Sequence, residues 1–359
     1  MTGSRLERLH AALANQGLGA LIVQGEANLR YLTGYTGSNG LALVGAGGED
    51  RFFTDFRYAA QIEQELEPGF EPEIAEAGEL LEALGARLPA GRVGFDDRTT
   101  SVRRRARLGE LAGDRVELVA AAGLVEDLRA VKDEDEIALI AAAARLTDGI
   151  YEWLLERGLG GRTERELAIA LEHEMRVRGA SGPSFASIVA SGAAGALPHA
   201  KPRDVAIERG TLVTLDIGSL VDGYCSDCTR TFAVGEPSAH AREIYALVLA
   251  AQLEGLAAVA PGRSGREVDA QARAVIAAAG HAEHYGHGLG HGVGIEIHEA
   301  PRMARTAADA ELRSGNVVTV EPGVYLPGEL GVRIEDLVVV RDGGAQILSS
   351  VTKELLAVD

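Results

Sequence analysis

Two helix-start signatures, Thr163 with Glu166 and Ser264 with Glu267, stand 101 positions apart, and each opens a helical stretch that closes before a glycine, Gly179 or Gly280. In such a pair the hydroxyl accepts from the backbone N–H three residues on, while the carboxylate reaches back to the first residue. The surroundings repeat as well. A longer helix precedes each, one running from acidic Asp133, Glu134, Asp135 and Glu136 to Gly158, the other from about Glu236 to Ala260; acidic residues suit a helix N-terminus through its macrodipole. Strands follow each pair, over Leu212 to Asp216 and Tyr224 to Thr231, then over Val317 to Glu321 and Gly331 to Val340. These strands carry Asp216 and Asp227 in the first copy and Glu321 and Glu335 in the second, at offsets of 105 and 108 positions. The pattern predicts two pseudo-equivalent halves, helices then strands, each contributing an acidic hairpin to a site between them.

Ahead of the duplication the period switches repeatedly between helix and strand. Leu6, Leu9 and Leu13 recur at helical spacing, Gly17 stops that helix, and Ala20 to Val23 form a short buried strand. A hairpin over Leu41 to Val44 and Arg51 to Thr54, a helix over Arg57 to Leu66, and further helices and strands to Ala120 complete a small α/β domain. The chain therefore reads as α/β (α+β) overall, with an N-terminal domain over residues 1–128 and a duplicated domain over 129–359. Arg103, Arg104, Arg105 and Arg107 make one basic run, read as a solvated helix face.

Composition narrows the function class. With 53 acidic against 35 basic side chains the formal charge is −18, which argues against nucleic-acid or anionic-membrane binding, because phosphate affinity rests on Lys and Arg. No apolar run is long enough to span a bilayer, and Arg5, Glu7 and Arg8 interrupt the start where a signal peptide is apolar. A cytoplasmic protein is expected. The only cysteines, Cys225 and Cys228, lie three apart on an expected strand and point to opposite faces, so they read as packing residues.

The acidic hairpins carry the chemistry. Strand side chains alternate, which puts Leu212, Thr214 and Asp216 on one face, Cys225, Asp227 and Thr229 on another, and Arg333 beside Glu335. An ionised carboxylate buried without a partner costs several kcal/mol, so four in apolar strands need cations or hydrogen bonds, and divalent metals are the economical answer. The stretch from Gly286 through His287 and His291 to His298 and Glu299 resembles neither a dinucleotide loop nor a helical zinc motif, since its alternating glycines disfavour a helix. It reads as an extended segment bringing an imidazole to the carboxylates. One imidazole with four carboxylates is a hard, oxygen-rich set suited to Mn²⁺ or Co²⁺, with Zn²⁺ or Fe²⁺ as alternatives. Four negative charges balance two dications, and such a pair supports hydrolysis.

The residues that carry these features resemble a known family. Leu215-Asp216-Ile217-Gly218, Gly223 to Thr231 around Asp227, Gly288-Leu289-Gly290-His291, Ile297-His298-Glu299, Val320-Glu321-Pro322-Gly323 and Arg333-Ile334-Glu335-Asp336 are similar to the pita-bread metallopeptidases that cleave Xaa-Pro bonds, aminopeptidase P and prolidase. Asn28 to Gly34 and Asp55-Phe56-Arg57-Tyr58 resemble the creatinase-type N-terminal domain of the same group. The resemblance implies that Asp216 and Asp227 bind one metal and His291 and Glu321 the other, that Asp227 and Glu335 bridge, and that Glu321 accepts a proton from the attacking water. It implies too that His199 and His298 orient the substrate amide and stabilise the tetrahedral intermediate, and that His287 shapes the substrate pocket. Arg302 and Arg333 are the candidates for holding a prolyl carboxylate, Arg333 equally so for supporting a metal ligand. Short loops favour aminopeptidase P with activity on Xaa-Pro dipeptides; a strict prolidase and an inactive protein-binding module are the alternatives. Proline-containing peptides are the expected partners, and relatives imply a homodimer.

Overall fold

Ser4 caps the first helix of the computed structural model through the backbone N–H of Glu7, and the Glu7 carboxylate returns to Ser4. The structure describes residues 4–308 and 310–359, and the chain divides into two units, Met1–Arg129 and Ala130–Asp359. In the first unit, α1 (Arg5–Asn15) leads to β1 (Ala20–Val23), α2 (Glu26–Thr33), the antiparallel pair β2 (Leu41–Gly45) and β3 (Asp50–Asp55), and α3 (Ala59–Glu65). Then come β4 (Phe70–Ala75), α4 (Leu80–Arg87), β5 (Gly91–Phe95), α5 (Val102–Ala112), β6 (Val116–Ala120) and α6 (Leu124–Arg129). The strands form one mixed sheet in the order β4-β3-β2-β1-β5-β6. Its core gathers Ile22, Leu43, Phe53, Leu84, Val93 and Leu108.

Two local readings of this unit change. Helix α2 has no counterpart in the periodicity: eight residues are too few to display a 3.6 repeat, and Gly25 and Gly34, both at positive φ, set its ends. The helix expected over 57–66 is a short 3₁₀ turn, Phe56–Tyr58, followed by α3, because Asp55 caps the turn through the Arg57 N–H. Arg103, Arg104 and Arg107 of α5 are exposed, and Arg107 pairs with Glu82 and Glu110.

In the second unit, α7 (Glu134–Arg157) and α8 (Glu164–Val177) precede β7 (Gly182–Pro183), β8 (Ile188–Ser191), β9 (Leu212–Ile217), β10 (Ser219–Val221), β11 (Tyr224–Cys225) and β12 (Cys228–Val234). The order recurs with α9 (Ala239–Ala258), α10 (Gly265–Ala278), β13 (Gly290–Gly292), β14 (Glu299–Met303), β15 (Val317–Val320), β16 (Gly323–Leu326), β17 (Leu330–Arg333), β18 (Asp336–Arg341) and β19 (Gly344–Ile347). Strand β20 (Ala357–Val358) then pairs back onto β12. Helices α8 and α10 both open on full capping boxes at Thr163/Glu166 and Ser264/Glu267. The halves pack alike. Ile150 and Leu154 of α7, Leu167 and Leu171 of α8, and Val213 and Leu215 of β9 make one core; Ile244 and Val248 of α9, Val268 and Ile276 of α10, and Val318 and Val320 of β15 make the other. Each such side chain stabilises by roughly 1.5–3 kcal/mol when fully buried. With Val213 and Leu215 turned to the helices, the period of two sends Thr214 and Asp216 to the opposite face; Thr319 and Glu321 follow Val318 and Val320 in the same way.

The acidic strands are not continuous. The structure breaks the expected 224–231 strand into β11 and β12 at Ser226-Asp227, and the 331–340 strand into β17 and β18 at Ile334-Glu335. At the first break Ser226 N–H bonds back to Ser219 O; at the second Glu335 N–H bonds across to Thr229 O. Asp227 and Glu335 therefore sit at interruptions where the chain passes between sheets, and Glu321 follows directly after β15. Cys225 and Cys228 are buried free thiols, packed in separate cores. Among the described residues no helix is long and apolar enough to cross a membrane.

Candidate metal centre

The four carboxylates and His291 converge. Ligand atoms of Asp216, Asp227 and Glu335 all lie within 4.8 Å of one another. His291 Nε2 stands 3.3 Å from Glu321 Oε1 and 3.6 Å from Asp227 Oδ2, which links the two halves through one imidazole. Its Nδ1 faces Gly292 O at 3.1 Å; a carbonyl only accepts, so Nδ1 carries a hydrogen, while Nε2 faces the carboxylates: without a cation it carries a proton too, hydrogen-bonded to Glu321, and a metal would take that proton's place. The alternating glycines have a steric cause. Strand β13 runs between β14 and β15, and a Cβ at Gly290 would meet Thr319 O at 2.0 Å, one at Gly292 the Ala300 O at 2.2 Å.

The electrostatics mark an acidic cluster without enough positive charge. Burial, then the Glu335 and Asp216 carboxylates, push Asp227 well above the usual range, and burial with Glu321 and Asp216 does the same to Glu335. Burial also works against Glu321, but its hydrogen bond from protonated His291 and the charges of His291 and Arg333 outweigh it and hold the group at about 2. Asp216 Oδ1 and Glu335 Oε1 are buried with no hydrogen-bond partner. Buried oxygen atoms without donors, set among mutually repelling carboxylates and one imidazole, fit divalent cations.

The flanking residues divide into those facing inward and those left open. Arg333 is inside: its side chain is 4% exposed, Nη2 donates to Asp216 Oδ2 at 2.7 Å, Nη1 to Tyr325 Oη at 3.0 Å and Pro198 O at 3.3 Å, and Nε to Thr229 Oγ1 at 3.1 Å. These bonds commit the guanidinium to the chain and to Asp216, one of the candidate metal ligands. His287 is committed as well. Its Nδ1 donates to Gly288 O at 2.7 Å and its Nε2 accepts from Tyr325 Oη at 2.7 Å, so neither ring nitrogen is left for a substrate. His298 is exposed, with its ring 4.3 Å from that of His291 in an edge-on arrangement. Partial burial and then His291 depress its basicity; His199 and Arg302 act in the same direction, so both are within electrostatic reach. His199 is exposed, and Arg302 is an exposed residue of β14 paired in register with His291.

Sequence reasoning missed Tyr325, Thr229 and Thr319. Thr229 Oγ1 donates to Glu335 Oε2 at 2.7 Å and Thr319 Oγ1 to Glu321 Oε1 at 3.0 Å. A signal for Thr319 was present, because Thr214-x-Asp216 and Thr319-x-Glu321 repeat at the same 105-residue offset. Tyr325 has none, since it reaches Arg333 across the β16–β17 hairpin.

Comparison with known proteins adds to this geometry. The model of the Metallopeptidase family M24 matches residues 138–342, and that of the Creatinase/Prolidase N-terminal domain matches residues 5–131. A solved Xaa-Pro dipeptidase from Bacillus anthracis is 39% identical, with a TM-score of 0.93 over 98% of this chain and 99% of that one. An X-Pro aminopeptidase from Thermotoga maritima is 34% identical, with a TM-score of 0.89 over 99% of this chain and 100% of that one. The Xaa-Pro dipeptidase of Pyrococcus furiosus is 43% identical over 233 residues, 65% of this chain and 67% of that protein.

Proposed function

The chain belongs to metallopeptidase family M24 and carries a creatinase-type N-terminal domain before a pita-bread catalytic domain; from that membership we propose that it hydrolyses the bond between an N-terminal residue and proline, with Xaa-Pro dipeptides among its substrates. It is an enzyme, so the reading as an inactive binding module falls. The observation that carries the dipeptide reading is Arg302, an exposed guanidinium in register with His291, suited to the carboxylate of a C-terminal proline. The Thermotoga maritima X-Pro aminopeptidase favours a second reading, in which longer Xaa-Pro peptides are cleaved as well.

Asp216 and Asp227 would hold one divalent ion and His291 and Glu321 the other, with Asp227 and Glu335 shared; Mn²⁺ or Co²⁺ suits this donor set, with Zn²⁺ as the alternative. When bound, such ions polarise the scissile carbonyl and lower the pKa of water. Glu321, held ionised, takes the proton of the attacking water. His298 and His199 hold the substrate amide, donate to the developing oxyanion and hand a proton to the prolyl nitrogen, which cannot leave as an anion. Arg333 and Thr229 orient Asp216 and Glu335. A cytoplasmic homodimer remains part of this proposal.

The test is hydrolysis of an Xaa-Pro dipeptide and an Xaa-Pro-Xaa tripeptide by the Mn²⁺-supplemented protein. Dipeptide turnover supports the reading; no turnover of either peptide sinks it. Tripeptide turnover alone leaves only the aminopeptidase reading.

A further inference from the structure

His298 belongs to a loop, residues 293–298, that joins β13 to β14 without regular structure. The residue after it, Glu299, turns its carboxylate into the loop. One oxygen accepts from the Glu296 backbone N–H at 3.0 Å, and the other receives Lys132 Nζ at 3.0 Å. Both side chains are buried, Lys132 at 1% and Glu299 at 5% exposure. The loop is built tightly around this carboxylate: a Cβ on Gly294 would stand 2.6 Å from a Glu299 oxygen, and Gly294 N–H bonds across to Glu296 O at 3.1 Å. Lys132 is anchored in turn. Its backbone N–H donates to Gly315 O at 2.9 Å, and the next residue, Asp133, caps α7.

We propose that Lys132 is a positioning residue for His298, acting through Glu299 to fix the 293–298 loop and hence the reach of the imidazole into the site. The inference rests on the reading of His298 as a substrate-facing group. A buried carboxylate that loses its ion partner is left uncompensated at a cost of about 3–5 kcal/mol, which favours its turning toward water. Since Glu299 is joined directly to His298, that turn moves the imidazole, and a displacement of about 1 Å in a reacting group costs on the order of 100-fold in rate.

The experiment uses the full chain loaded with Mn²⁺ and reads kcat, KM, metal content and melting temperature on an Xaa-Pro dipeptide. Lys132→Met is expected to lower kcat about 100-fold with metal content and KM unchanged, and Lys132→Arg to regain part of the loss. Gly294→Ala pushes on the same carboxylate without removing a charge. It is expected to give the same kcat loss in a protein that melts like wild type, and it carries the test if Lys132→Met does not fold. In a His298→Ala background neither change should lower kcat further. A full additional loss in that background, loss of metal, or wild-type kcat in Gly294→Ala overturns the proposal. Wild-type activity in His298→Ala instead removes the reading of His298, and the proposal with it.

Discussion

Arg333 Nη2 lies 2.7 Å from Asp216 Oδ2, so the guanidinium nearest the carboxylates is bound to one of them. Its other hydrogen bonds, to Tyr325, Pro198 and Thr229, come from three other segments of the chain, and its Nε lies 4.0 Å from Glu321 Oε2. Arg333→Met is expected to weaken Mn²⁺ binding or kcat by about 10- to 100-fold, the usual effect of losing a group that orients a metal ligand. Dipeptide KM should stay near wild type. Titrating metal-free protein with Mn²⁺ while following peptide hydrolysis checks this, and a variant with normal kcat and a raised dipeptide KM would return Arg333 to substrate binding.

Arg302 should behave in the opposite way. Losing a hydrogen bond to a charged group costs roughly 1.5–3 kcal/mol, so Arg302→Met is expected to raise KM for an Xaa-Pro dipeptide by about 10- to 100-fold. For an Xaa-Pro-Xaa tripeptide, which has an amide where the dipeptide has its carboxylate, KM should change little. Equal effects on both peptides would remove the carboxylate role.

Metal removal couples to pH. Without cations the folded protein holds Asp227 and Glu335 well above the ordinary carboxylate range, through burial and mutual repulsion. A raised folded-state pKa gives stability that is present below the unfolded pKa and lost as pH rises toward the folded value. Bound dications cancel that loss. The melting temperature of EDTA-treated protein is therefore expected to fall further below that of Mn²⁺-loaded protein at pH 8 than at pH 5. A gap independent of pH would contradict it.

Glu164 gives a prediction of opposite sign. Its side chain is fully buried at the start of α8, where it accepts from Ser191 N–H, Ser191 Oγ, Arg203 N–H and the Arg203 guanidinium. Burial raises its pKa, but these bonds outweigh burial and the net shift is downward from 4.5. The stabilisation is present above pH 4.5 and lost as pH falls through the lowered folded-state value. Glu164→Gln should cost about 2 kcal/mol at pH 7 and progressively less as pH falls below 4.5. Urea unfolding at both pH values measures the difference.

Alkylation gives a simple check on the cysteines. Burial, reinforced by the Glu299 and Glu296 charges, pushes the Cys225 thiol up to about 12, and Cys228 is raised well above its ordinary value. Neither should react with iodoacetamide in the native protein at pH 8, and both should react in urea. Mass spectrometry reads the outcome.

The amino-acid sequence by itself determined the duplication. Capping boxes, apolar helix faces and strand alternation act over a few residues, so Thr163/Glu166, Ser264/Glu267 and the Val213/Leu215 alternation with Asp216 were all readable from their neighbours. The same locality let four carboxylates and a Gly-flanked imidazole stand out as a group. What only the tertiary structure decided involves partners far apart in sequence. Strand breaks at Asp227 and Glu335 arise where the chain passes between sheets, with Glu335 N–H bonded to Thr229 O rather than to a continuing ladder partner. For Arg333 the sequence offers substrate and ligand roles equally, and only the fold brings Tyr325, Pro198 and Thr229 around it. Lys132 and Glu299, 167 positions apart, carry nothing in the sequence that pairs them. Burial is a property of the folded whole: only packing excludes water from such a pair, and that exclusion makes its geometry matter to His298.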